Sequence, residues 1–336
     1  MSDIITLAHG AGGRLTSELI ENVFSVYLEK PLKFDDAAVL DFSGKENELT
    51  FCTDVHLVKP IFFPGGNLSL LAIYGTINDL VAMGSKPLYL TLGWIIEEGI
   101  EIQTIKELSN EIKRASDECN IKIVAGDTKV VPKGQGDGVY LSVAGVGQKK
   151  SELKINSRNI REGDVLIITG TIADHGCAIL LAREEFPLKA NIKSDCACLD
   201  KLILPAVEEF QNDIHAMRDP TRGGLSTVLN EFAISSNVCI EIDESRVPIK
   251  DEIYGILDPL GLDPFTMTCE GKMLIACSPN IAQNLLKMLQ ANPLGKDASI
   301  IGHVSSKAPG RVILHTKIGG TRFLDMPIGE NLPRIC

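Results

Sequence analysis

A two-domain α/β protein is what this chain predicts, and three observations predict it. Runs with the character of strands alternate with apolar stripes at helical spacing along nearly the whole length. The 336 residues exceed what one ordinary core holds. A polar, charged stretch at 149–162 separates two halves of similar size and element order. The expected layout is an N-terminal α/β domain at 1–148, a crossover at 149–162, a C-terminal α/β domain at 163–325 and a mobile tail at 326–336.

Composition narrows the partners. A net charge of -11 argues against a nucleic-acid or anionic-membrane surface, since both need a basic face. Any phosphate site must therefore draw on metal ions or backbone amides as well as lysines. The nine cysteines are odd in number and contain no C-x-x-C pair, which reads as a reducing compartment rather than a disulfide framework. Cys196-Ala197-Cys198 is the one close pair and reads as incidental. The N-terminus lacks a basic n-region with a following apolar run, and no segment approaches the roughly 20 apolar residues of a membrane span. The expectation is a cytoplasmic protein.

The first half opens on His9-Gly10-Ala11-Gly12-Gly13-Arg14 before a helix-compatible run at 15–27. Such a turn either cradles a phosphate with its N–H groups or is simply flexible. Asp35-Asp36-Ala37-Ala38-Val39-Leu40 leads into a strand-like run, and 49–54 reads as a strand ending on Asp54. The helix expected at 67–83 is apolar at Leu70, Leu71, Ile73, Tyr74, Ile77, Leu80 and Val81, and Asn78-Asp79 interrupts it. A carboxylate in such a face is costly, so Asp79 is either half-exposed or a ligand. A strand at 87–96, a helix at 102–118 and a strand at 121–129 follow, the last reaching Asp127-Thr128-Lys129, and 139–147 closes the half as a strand. Four elements thus end or break at Asp36, Asp54, Asp79 and Asp127. These are either ligands of a hard cation, which takes oxygen donors, or ordinary strand-end turns.

In the second half, strands are expected at 164–170, 238–242, 273–277, 298–304 and 311–315. Helices are expected at 177–183, 199–210, 224–235 and 280–290. Asp219-Pro220-Thr221-Arg222-Gly223-Gly224 is a second candidate anion turn before a helix, and Glu270 precedes an apolar strand where it either acts as a base or caps a turn. No G-x-x-x-x-G-K-[ST] and no G-x-G-x-x-G occurs, which removes the P-loop and Rossmann readings. No histidine spacing suits zinc.

The last ten residues, from Pro327 to Cys336, contain two prolines and a glycine and end on a thiol. Such a segment stays extended and can carry its thiol on the order of 33 Å. The thiolate is the nucleophilic form, so the terminus is either a working arm or a frayed end.

Taken together, His9-Gly10-Ala11-Gly12-Gly13, Asp35-Asp36-Ala37-Ala38-Val39, Thr53-Asp54, Asn78-Asp79-Leu80-Val81-Ala82-Met83-Gly84, Gly126-Asp127-Thr128-Lys129 and Asp219-Pro220-Thr221-Arg222-Gly223-Gly224-Leu225 resemble the aminoimidazole ribonucleotide synthetase superfamily. The terminal Pro333-Arg334-Ile335-Cys336 narrows the resemblance to its hydrogenase-maturation branch. That resemblance implies a homodimer whose N-terminal domains share a β-barrel, with ATP and Mg²⁺ in a cleft. It implies that Cys336 receives a carbamoyl group from HypF and that ATP drives its dehydration to a thiocyanate. The cyanide then passes to iron on a HypC–HypD complex. By resemblance Asp36, Asp54, Asp79 and Asp127 take the Mg²⁺, with Asp35 as a helper. The nucleotide falls to His9, Gly10, Gly12, Gly13, Asn78, Thr128, Asp219 and Arg222, while Lys129 stabilises phosphoryl charge and Glu270 serves as general base. Two other readings are a small-molecule kinase or synthetase of the same superfamily, of selenophosphate or thiamine-phosphate type, and a non-catalytic scaffold whose arm only docks a partner.

Overall fold

The computed structural model describes residues 13–14, 17–18, 38–40, 47–184, 190–329 and 334–336. The first unit is a five-stranded sheet with two helices on one face. Its elements in chain order are β1 (Ala38–Leu40), β2 (Asn47–His56), a small hairpin of β3 (Phe62–Phe63) and β4 (Gly66–Asn67), α1 (Leu68–Ala82), β5 (Lys86–Glu97), α2 (Ile102–Glu118), β6 (Lys122–Val131) and β7 (Val139–Lys150). The strand order is β1-β2-β7-β5-β6, antiparallel except for the parallel β5–β6 pair.

Helix α1 is apolar on every side, and all its residues except Asp79 are buried. A helix of that kind has to be enclosed, and here it lies between the first sheet and the second unit. Asn67 starts it, its side chain accepting the N–H of Leu70 at 3.1 Å. Helix α2 is amphipathic, burying Leu108, Ile112 and Ala115 while Arg114 and Glu111 pair outside. Among the described residues, no helix covers the opposite face of the sheet. Pairing register sets Phe51, Val55, Tyr89 and Ile95 together on it, and all four are exposed.

The second unit adds β8 (Val165–Ile168), α3 (Asp174–Ala182), α4 (Asp200–Phe210), β9 (Ile214–Arg218), α5 (Gly224–Ser236), β10 (Cys239–Asp243), α6 (Asp251–Leu257), β11 (Leu274–Cys277), α7 (Ala282–Gln290), β12 (Ser299–Ser305), β13 (Arg311–His315) and β14 (Thr321–Phe323). They make a seven-stranded sheet in the order β14-β13-β10-β12-β8-β11-β9. Its central strands are covered on both faces. Ile167 and Ile275 pack in the cluster with α4 and α7, and Leu166 and Ile168 in the cluster with α5. That is why Val165-Leu166-Ile167-Ile168 is a continuous apolar run without alternation.

Three second-unit elements escape the periodicity. Strand β9 reads Ile-His-Ala-Met-Arg, and its polar members are tied down by partners remote in sequence. His215 Nδ1 lies 2.7 Å from Asp164 and Arg218 2.8 Å from Glu231. Helix α6 and strand β14 are too short to show a period.

The units share one hydrophobic cluster, in which Leu71 and Ile77 of α1 meet Leu199, Leu202 and Ile203 at the start of α4. Asn78 stitches this seam, donating to the Ala197 carbonyl at 3.0 Å and accepting the Leu199 N–H at 2.9 Å. Truncating it would orphan two backbone groups at about 1–3 kcal/mol each.

Candidate active site

The seam between the units opens into a cleft where acids from the first unit face a basic, glycine-rich turn from the second. Asp54 lies on the helix-covered face of β2, and its Oδ2 accepts the Thr76 hydroxyl of α1 at 3.1 Å. Asp79 sits on α1 nearby. Ligand atoms of Cys52, Asp54 and Asp79 all fall within 4.8 Å of one another. Cys52 donates its thiol to the Thr76 carbonyl at 3.3 Å, so the oxygen donors of the group are the two carboxylates. This donor set fits Mg²⁺, a hard cation that binds through one or two carboxylates and leaves its other positions to water and substrate phosphates.

The expected fourfold cluster is not assembled within one chain. Asp127 pairs with Gly93, which lies in register with Ser142 and then Val55, so Asp127 shares the outer sheet face with Val55. Asp54 points to the other face, about 14 Å away across three strand spacings. Lys129 lies two residues along β6 on the same outer face, and Thr128 is exposed on that strand. The physical reason is the pleat, since adjacent residues of a strand address opposite sides. Asp35, Asp36, His9, Gly10 and Gly12 fall outside the described residues. Gly13 lies against the root of the tail, where a Cβ would come within 2.2 Å of the Pro327 carbonyl oxygen. Asn78, expected at the nucleotide, spends both ends of its amide on the backbone of 197–199.

From the second unit, Asp219 and Arg222 are carried by the turn before α5. Gly223 and Gly224 close that turn with φ of 65° and 63°. A side chain at Gly224 would run into the carbonyls of Phe265 and Met267. The pKa of the Arg222 guanidinium is raised, first by negative charge at Cys336, and also by Asp54 and Asp79. The basic turn, the acid pair and the chain terminus therefore converge at Arg222.

Two buried acids complete the wall. Burial pushes Asp219 up to about 7, with Asp54 adding to the rise and Arg218 and Arg222 opposing it. Burial, with Asp219, Asp195 and Asp54 nearby, pushes Glu270 well above the usual carboxylate range. Its Oε1 finds no hydrogen-bond partner among the described residues. Burial thus favours the neutral carboxyl of Glu270, the residue expected from sequence as general base.

The tail is folded inward. Leu57 N–H donates to the Cys336 carbonyl at 3.2 Å, and Lys59 N–H to that of Arg334 at 3.1 Å. Arg183 also donates to the Arg334 carbonyl, His175 Nε2 lies 2.7 Å from the Ile335 carbonyl, and Arg334 pairs with Asp137. Ile335 is buried in the cluster shared by the two units.

Sequence reasoning did not find several of these residues. His175 and Arg183, at the two ends of α3, and Asp137, Asp195 and Lys272 come from four separate segments. Lys272 pairs with Asp195 at 3.3 Å, on a strap at 190–199 that crosses so close to Gly271 that a Cβ there would meet the Asp195 carbonyl at 1.9 Å. His56, on the same face as Asp54, is neutral: burial lowers it to about 4, with Arg222 adding to that and Asp54 opposing.

The chain matches two family profiles described as AIR synthase related protein, the N-terminal domain over 34–148 and the C-terminal domain over 161–315. It is 41% identical over 332 residues to a protein of Rhizobium leguminosarum bv. viciae named carbamoyl dehydratase HypE, covering 99% of this chain and 95% of that one. Among solved structures, a HypE–HypF complex aligns with a TM-score of 0.86 at 38% identity, over 92% of this chain and 99% of that chain. HypE in complex with ATP aligns with a TM-score of 0.83 at 37% identity, over 98% and 100%.

Proposed function

The chain belongs to the HypE carbamoyl dehydratase family, and we propose that it uses ATP to dehydrate a carbamoyl group carried on its own Cys336. One observation carries the reading: the terminal residue is held beside Leu57 and lies against Arg222, the guanidinium that also interacts with Asp54 and Asp79.

In this reading ATP is a substrate. An amide oxygen is a poor leaving group, and phosphorylating it converts the loss of water into the loss of phosphate. The S–C(=O)–NH₂ group gives up its oxygen to phosphate and both N–H protons to acceptors, leaving S–C≡N, ADP and inorganic phosphate. Arg222 stabilises charge on the oxygen being transferred. Asp219, near 7, takes a nitrogen proton, and Glu270 supplies or relays one. Asp54 and Asp79 would hold Mg²⁺, which supplies charge neutralisation at the triphosphate. By the resemblance, Gly10, Gly12 and Gly13 would cradle phosphates, and Asp36, with Asp35 as a helper, would add to the Mg²⁺ ligands.

Asp127 and Lys129 reach a cleft in this scheme only if two copies meet through the outer sheet face, while Thr128 lies on the opposite side of β6. The exposed Phe51, Val55, Tyr89 and Ile95 make that face apolar. The working unit is accordingly a homodimer built on that surface. HypF is the carbamoyl donor, in keeping with the solved HypE–HypF complex, and a HypC–HypD complex receives the cyanide for its iron. Nine free cysteines and the absence of any described helix able to cross a membrane fit a protein working in the cytoplasm.

The test is intact mass after incubation with HypF, carbamoyl phosphate and ATP. A carbamoyl adduct on Cys336 that loses one water when ATP and Mg²⁺ are present is the expected result. An adduct on any other cysteine, or none, defeats the proposal. Full ATP turnover on an added small molecule by a chain lacking Cys336 would point to a kinase of the same superfamily.

A further inference from the structure

We propose that His175 is a positioning residue that seats the terminal thiol, held as a single tautomer by Ser194 and pinning the Ile335 carbonyl so that Cys336 stays in the cleft. The inference deepens the reading above and rests on it for its link to turnover.

The hydrogen-bond roles are forced. His175 is fully buried in the first turn of α3, and its Nε2 lies 2.7 Å from the Ile335 carbonyl oxygen. A carbonyl can only accept, so Nε2 carries the proton. Nδ1 lies 2.8 Å from Ser194 Oγ. Burial lowers the pKa of this histidine, although the Ile335 bond and Asp195 oppose the shift, so the ring is neutral and Nδ1 accepts the serine proton. Ser194 Oγ accepts in turn from the Cys196 N–H at 3.1 Å, and the Ser194 N–H donates to the Pro64 carbonyl at 2.8 Å. Phe63 holds the imidazole plane from the side, its ring edge-on with centroids 5.5 Å apart. A chain of contacts therefore runs from the β3–β4 hairpin of the first unit, through Ser194 on the strap, to the residue before the thiol.

Among the described residues, the side chains of His175 and Arg183 both bond to the tail backbone, and they differ in kind. Arg183 reaches the Arg334 carbonyl from a solvent-exposed position where water can replace it. The His175 bond is buried, so breaking it leaves an unpaired carbonyl and an unpaired ring nitrogen in an apolar pocket. The buried bond therefore sets how long the thiol stays inward, and removing its donor should shift occupancy of the seat by about tenfold.

The experiment uses the full chain and three variants. H175F keeps a ring but no donor, H175Q restores an amide N–H, and S194A removes the group that sets the tautomer. One readout is the rate at which a bulky maleimide alkylates Cys336, followed by mass spectrometry of the terminal peptide, with buried Cys177 on the same helix as the folding control. The other is the single-turnover loss of water from the carbamoylated tail at saturating ATP, with KM for ATP alongside. H175F should raise Cys336 alkylation and lower the single-turnover rate, each about tenfold, with KM for ATP within about twofold of wild type, and H175Q should recover most of both.

Should H175F expose Cys177 as well, S194A decides the matter in the same direction. Unchanged Cys336 alkylation in a folded H175F, or in S194A where H175F is unfolded, overturns the inference. A wild-type chain that never loses water would sink the dehydratase reading instead, while the alkylation comparison still decides the role of His175.

Discussion

Leu57 and Cys336 are joined backbone to backbone, the N–H of one donating to the carbonyl of the other at 3.2 Å. Together with the Lys59–Arg334 bond at 3.1 Å, this makes the terminus a short strand-like addition beside the segment that leaves β2. The thiol takes no part in that pairing. Cys336→Ala should therefore keep the inward tail and bind ATP with an affinity within about twofold of wild type, while losing the modification entirely. Calorimetry with ATP and intact mass check the two halves. A large loss of ATP affinity would mean that the thiol itself builds the nucleotide site.

Among the described residues Asp54 and Asp79 are the carboxylates brought together, and removing one takes away an oxygen donor from a hard cation. Asp79→Asn should raise the Mg²⁺ concentration for half-maximal turnover by about tenfold or more. Magnesium titrations of turnover measure it. An unchanged midpoint would place the metal elsewhere.

Asp219, pushed up to about 7 chiefly by burial, should make the dehydration step rise with pH. The sign follows from its role as acceptor, because only the ionised carboxylate takes a proton. Below about 7 the single-turnover rate should rise about tenfold per pH unit and then level off, and Asp219→Asn should remove that limb. The same shift works against stability. The folded chain holds a proton that the unfolded chain releases near its ordinary 3.8, so this group's contribution falls as pH rises from there to about 7. A flat rate profile across that range would remove Asp219 from the proton transfer.

Val55 lies in the same cross-strand row as Asp127 on the uncovered sheet face. A charge placed there meets an apolar partner if two copies join through this face. Val55→Glu should weaken association at least about tenfold, seen by sedimentation, and lower turnover with it, while the monomer's melting temperature stays near wild type because the side chain is exposed. Association that is indifferent to the substitution would move the dimer contact to another surface.

Much of the fold was legible in sequence where one physical signal dominated. The stripe in α1 and the polar breaks around it were enough to place that helix, and the apolar run of β8 marked a strand buried on both faces. Strand β9 was not legible, because His215 and Arg218 look like loop residues until Asp164 and Glu231 are brought to them by the fold. The acids of the site were visible as residues but not as a set. The sequence places Asp54 and Asp127 alike at strand ends, yet the pleat turns one toward α1 and the other away from it.

Residue order alone determined that this is a two-unit α/β chain with acids on its strands, a glycine-rich basic turn and a thiol after a proline-containing segment, since each follows from local backbone preference and periodicity. Only the tertiary structure decided that the arm lies inward on Leu57, His175 and Arg183, and that Arg222 meets Asp54 and Asp79 from the other unit. Side-chain parity and the docking of two sheets through α1 are long-range properties, and a strip of sequence carries no information on which distant carbonyl a buried histidine will meet.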